Sequence, residues 1–226
     1  WLARDNRPES QTASIGEWLR ILVPRRQAEQ KNKPQKHTGL RLEILYGPFG
    51  RFLGLLFFFH LVQWSSIPLF PLFAVNQLQF SDQIIGLQTA TFSLAVFVGS
   101  SQIDRFSRRI GNKKLVALGM MGMGTYPVLT GLTQVTKGIG FFILAAILGG
   151  LAWAMVGGVL YNYIYEKIPA LDRSIYLSWY NLVLNSAILL GSISGPLLTS
   201  VLDFWLALVV LGFLRTVAGI AILLWG

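Results

Sequence analysis

The sequence contains no cysteine, which excludes disulfides, thiolate metal sites and thiol nucleophiles. Histidine is nearly absent: His37 and His60 stand far apart and leave no histidine cluster for a metal. Charge is scarce as well. Asp, Glu, Lys and Arg make up 13% of the 226 residues, against roughly 25% in ordinary soluble domains. Negative charge is scarcer still, with 10 acidic residues against 19 basic ones. No nucleophile–base pair, metal-ligand spacing or phosphate-binding loop appears, so neither an enzyme nor a cofactor is expected.

What abounds is apolar surface. Hydrophobic residues form 53% of the chain and the mean hydropathy is +0.54. The charges cluster, leaving neutral stretches of about 20 residues, long enough to cross a hydrocarbon core of ~30 Å as helices. The chain therefore reads as an all-α integral membrane protein, with the lipid bilayer as its first partner. A net charge of +9 and a pI near 10.1 would point to nucleic acid in a soluble chain. Here the charge placement follows the positive-inside rule instead, and no nucleic-acid partner is expected.

Residues 100–114 organise the rest. Arg105, Arg108, Arg109, Lys113 and Lys114 stand against Asp104 alone, between two uncharged apolar runs at 84–98 and 115–132. Such a basic loop between crossings belongs on the cytoplasmic side. Residues 1–50 are polar and basic and read as a cytoplasmic linker. Within them Ser14-Ile15-Gly16-Glu17 fits a capping box, and Ile15, Trp18, Leu19 and Leu22 share a helix face. Pro24 limits that helix. It is expected to lie on the membrane surface or against the protein's own loops.

Residues 51–226 then predict six crossings, at about 52–78, 84–103, 115–133, 139–165, 174–201 and 204–225. Pro68 and Pro71 predict a kink or break in the first. Ala146, Gly150, Ala154 and Gly158 recur every fourth residue in the fourth, letting another backbone approach closely; Gly191 and Gly195 repeat the device in the fifth. Asp172 is placed to cap the fifth. Ser178, Asn181, Asn185 and Ser192 share one face of it. Amides are costly in lipid, so that face should look at protein or water. Six crossings place 17 of the 19 basic residues on one side, with Lys137 opposite and Arg215 inside the sixth. Both the linker and the C-terminus are thus expected in the cytoplasm, the membrane being a plasma or bacterial inner membrane. The chain begins Trp-Leu-Ala-Arg without a signal-peptide pattern. It is expected to be a fragment, a processed product or the ordered part of something longer.

These residues resemble the major facilitator superfamily. The match to its loop motif G-x-x-x-D-R-x-G-R-R is carried by Asp104, Arg105, Arg108 and Arg109; Ser100 and Ser107 replace the motif glycines, with Gly99 one residue away. Ile67-Pro68-Leu69-Phe70-Pro71, Pro169-Ala170-Leu171-Asp172-Arg173, Tyr180-Asn181 and Gly195-Pro196-Leu197 are similar to other stretches of the family. The resemblance covers about 45–225. It implies a six-transmembrane-helix bundle corresponding to the C-terminal half of a secondary transporter, preceded by the linker between halves. Such transporters alternate access to a small solute at a site between two six-helix halves.

The resemblance also implies roles. Asp104, Arg105, Arg108 and Arg109 would hold the inner gate. The first, second, fourth and fifth crossings would line the cavity, making His60, Gln63, Gln88, Asn181 and Asn185 candidates for it; each could equally be an interhelical hydrogen-bond partner. Arg215 lies near the middle of a peripheral crossing, where an unpaired Arg costs about 2.5–3.5 kcal/mol. It is expected to meet a structural partner such as a cluster of carbonyls. No Asp or Glu lies deep in any crossing, which leaves proton coupling without an obvious carboxylate here. The expected partner is a missing N-terminal six-helix half or a second copy. The alternative is a non-transporting structural or accessory subunit of a larger membrane complex.

Overall fold

The structure, a computed structural model, describes residues 41–136, 138–170 and 172–226. The amphipathic helix expected around Trp18 lies outside them. Among the described residues the elements are all helices: α1 (Glu43–Tyr46), α2 (Pro48–Ser66), α3 (Leu69–Asn76), α4 (Asp82–Ser100), α5 (Ile103–Ile110), α6 (Asn112–Thr136), α7 (Ile139–Lys167), α8 (Arg173–Thr199) and α9 (Phe204–Trp225). Six of the resulting segments are long and apolar enough to cross a membrane, with α2 and α3 forming one broken crossing over Pro48–Asn76. Helices satisfy their own backbone groups, which lipid cannot do.

The first crossing begins at Pro48 rather than at 52. Proline at a first helical position forfeits only an N–H that lacks a helical partner anyway. It breaks at Ile67-Pro68, as the two prolines predict, and ends at Asn76. There Leu78 N–H bonds back to Phe73 O and Phe80 N–H to Ala74 O.

One expectation is corrected outright. The basic stretch 100–114 is not an open loop, because Ile103–Ile110 forms α5. Ile103, Phe106 and Ile110 fall at helical spacing on one side, and Ile103 is buried. Asp104 sits in the first turn and Arg108 and Arg109 in the last, each complementing the helix dipole. The helix stops at Gly111, whose φ of 83° is open to glycine at little cost, and Gly111 N–H returns to Ser107 O.

Helix α6 is central, packed between α7 and α9; α4 lies on α7 and α8 on α2. The small-residue stripe of α7 is used as its spacing predicts. A β-carbon on Gly150 would stand 2.5 Å from Phe92 O, and one on Gly158 2.9 Å from Ile103. Gly191 likewise admits Leu61 O of α2.

Two apolar clusters fill the bundle. The larger joins Phe52, Leu56, Phe59, Val116, Met120, Val159, Tyr163, Tyr180 and Ile222. The smaller joins Val62, Leu69, Phe73, Leu208 and Leu211. Along α9, Arg215 lies between Leu211 of one cluster and Ala218 of the other.

Candidate functional site

Beside Arg215 is a cavity of about 390 Å³. The break in the first crossing brings Gln63, Ile67 and Phe70 to it; α4 contributes Gln88, Thr89 and Phe92. Met123 and Tyr126 come from α6, Gly149 and Trp153 from α7, and Arg215 from α9. The walls are mostly aromatic and apolar, with a few polar groups among them.

Those polar groups are arranged by the backbone around them. Pro127 has no N–H, so Met123 O, four residues back, loses its usual helical donor. Arg215 Nη1 takes that place, donating to Met123 O at 3.2 Å. Its Nη2 donates at 2.9 Å to Gln63 O, near the end of α2. Arg215 is 1% exposed, and its guanidinium stands 6.0 Å over the Phe70 ring. Among the described residues its Nε–H has no partner, and neither has the buried Gln63 Oε1. Among the described residues no carboxylate pairs with Arg215.

Across the cavity Gln88 Nε2 donates to Tyr126 Oη at 2.5 Å. The Tyr126 ring packs on Phe70, with centroids 4.4 Å apart, and on Phe92 at 5.7 Å. Gly149 permits this, since a β-carbon there would meet the Tyr126 side chain at 2.8 Å.

The five residues expected to line one cavity separate into three groups. Gln63 and Gln88 reach the cavity. His60 is buried elsewhere, its Nε2 3.3 Å from Tyr180 Oη, with Tyr161 edge-on to Tyr180. Asn181 and Asn185 lie on the exposed face of α8, where Asn185 Nδ2 donates to Asn181 O. Sequence reasoning missed Tyr126, Phe70, Phe92 and Met123. Pro127 was the available signal, because it marks a freed carbonyl one turn away.

At the basic end, Asp104, Arg105, Arg108 and Arg109 lie on α5 and are exposed. Among the described residues they form no ion pair. The contact that anchors this end runs through Asn112, which is hydrogen-bonded to Ser107 and donates to Glu166 Oε1 at 2.6 Å, tying α5 to the end of α7. Asp172 occupies the N-cap position of α8, but its side chain makes no cap bond. Its carboxylate instead accepts from Arg41 Nη1 at 3.1 Å, and its backbone O receives Ile175 N–H.

The profile of the Major Facilitator Superfamily matches residues 52–226. The chain belongs to that superfamily. No curated protein matches the sequence. Membership makes the chain a multi-pass membrane protein of a transporter family, in keeping with its six candidate crossings. Arg215 lies in the last crossing of this facilitator bundle, yet it borders the same cavity as Gln63 and Gln88.

Proposed function

We propose that this chain is the C-terminal half of a secondary transporter, which moves a small organic solute by alternating access against a further six-helix half. The observation that carries this is the face of α8 bearing Ser178, Asn181, Asn185 and Ser192, all exposed. Helices α4 and α8 are the least covered crossings. Over an 18-residue apolar stretch of each, 11% and 17% of residues are buried, against 44–56% in the other four. Two carboxamides on a membrane helix need protein or water beside them. A second half enclosing an aqueous path along α8 supplies both.

In this reading the basic end faces the cytoplasm, by the positive-inside rule, in a plasma or bacterial inner membrane. Residues 1–50 are the linker that joins the halves. The charges of α5, which make no ion pair among the described residues, meet their partners on the other half when the inner side closes. The gate is then an ion-pair contact between halves, not within this one.

The test is solute uptake by the full-length protein in proteoliposomes. The double substitution Asn181→Leu and Asn185→Leu keeps the fold, since neither amide packs in the core, and lowers uptake at least tenfold. Unchanged uptake in that variant removes the α8 face from the path. Absence of uptake of any solute by the unsubstituted protein favours a non-transporting subunit.

A further inference from the structure

We propose that the cavity beside Arg215 is an anion subsite, and that the solute is a small organic acid: a monocarboxylate on an apolar or aromatic body. The inference rests on the transporter reading and adds a substrate class to it.

The argument begins with charge. Arg215 is fully enclosed, and the two carbonyls it holds are neutral. They fix the orientation of the guanidinium without cancelling its charge. A guanidinium carries five N–H donors; the two hydrogen bonds to Met123 O and Gln63 O leave the Nε–H, among others, unused. A planar fork with donors to spare and, among the described residues, no anion is matched by a carboxylate, which accepts two parallel N–H bonds.

The remaining groups fit the same ligand. Gln63 Oε1 is buried without a partner, and half a turn of that amide puts its NH2 in the same place. Tyr126 Oη accepts from Gln88, which leaves its own proton free to donate. Phe70, Phe92 and Trp153 supply flat apolar walls for the body of the acid. The volume, about 390 Å³, lies at the small end of the ~300–1,000 Å³ range of ligand pockets. A cationic solute would meet the Arg215 charge head-on. A neutral one would leave it uncompensated.

The test uses the full-length protein purified in detergent and two probes of one shape, benzoate and benzamide. Binding is measured by titration calorimetry, and uptake separately in proteoliposomes. Benzoate is expected to bind about tenfold tighter than benzamide, the factor that one charge-assisted hydrogen bond of ~1.4 kcal/mol provides. Arg215→Gln should abolish that preference. Because Arg215 also ties α2 to α6, its replacement can lower the yield of folded protein. The comparison of the two probes on the unsubstituted protein needs no variant. Trp153→Ala, at the exposed rim, gives a second check by weakening benzoate while sparing the helix contacts.

Benzamide binding as well as benzoate, no saturable benzoate binding, or a preference that survives Arg215→Gln each overturns the anion subsite. The transporter reading fails separately, if benzoate binds through Arg215 but no solute is taken up.

Discussion

Pro127 acts one turn away from itself. By withholding an N–H it frees Met123 O, and that carbonyl fixes Arg215 across from Gln63. The neighbouring Tyr126 is placed by the same turn of α6 and completes the hydrogen bond from the buried Gln88. This pair makes a stability prediction. Tyr126→Phe leaves the Gln88 amide buried without its acceptor, which costs about 1–3 kcal/mol, whereas replacing both partners by apolar groups is nearly neutral. Thermal unfolding in detergent should therefore show a lowered Tm for Tyr126→Phe and most of it recovered in Tyr126→Phe with Gln88→Leu. A double variant no better than the single one would mean the Gln88–Tyr126 bond is not what Tyr126 contributes. The sequence named Gln63, Gln88 and a carbonyl environment for Arg215, but the pairing of Gln88 with Tyr126 was not legible residue by residue. Gln63, Gln88, Tyr126, Trp153 and Arg215 are spread over about 150 positions, and only the packing of five crossings brings them together.

Among the elements, α9 was the easiest to read and α5 the hardest. Phe204–Trp225 has the bounds that its apolar run, broken only at Arg215 and Thr216, predicts, because length and hydropathy alone define a crossing. In α5 the crowded charges mask Ile103, Phe106 and Ile110, which give the segment its helical face. The small-residue stripe of α7 was legible in spacing but not in partner; the partner is α4. There Gly150→Ala would set a β-carbon 2.5 Å from Phe92 O. Backbone cannot yield as a side-chain tip does, so α4 must move and the protein should lose about 1–3 kcal/mol. Gly54→Ala is the control. Nothing lies within 4 Å of its β-carbon, and alanine in a helix is favoured over glycine by ~0.5–1 kcal/mol. Size-exclusion profiles after graded heating should separate the two, with Gly150→Ala lost at a lower temperature and Gly54→Ala unchanged or improved. Equal profiles would show that α4 and α7 are not held at backbone distance.

At the scale of the molecule, two kinds of asymmetry coexist. Charge divides the bundle end from end, and this was visible in the sequence because loops carry it. Cover divides it side from side: α4 and α8 are nearly bare while α6 is enclosed. The second asymmetry depends on which helix packs on which, and hydropathy says nothing of that. It is also the one that bears on function, since the bare face of α8 carries two amides that lipid does not satisfy. The most direct measurement is thiol accessibility in intact membranes. This chain has no cysteine of its own, so single cysteines report cleanly once any in the rest of the protein have been replaced. With a membrane-impermeant maleimide applied first to one side and then to the other, Asn181→Cys and Asn185→Cys in the full-length protein should react from both sides. Phe213→Cys, on the exposed face of α9, should react from neither. Asn181→Cys and Asn185→Cys as inert as Phe213→Cys would contradict an aqueous path along α8, and with it the proposed transport by alternating access.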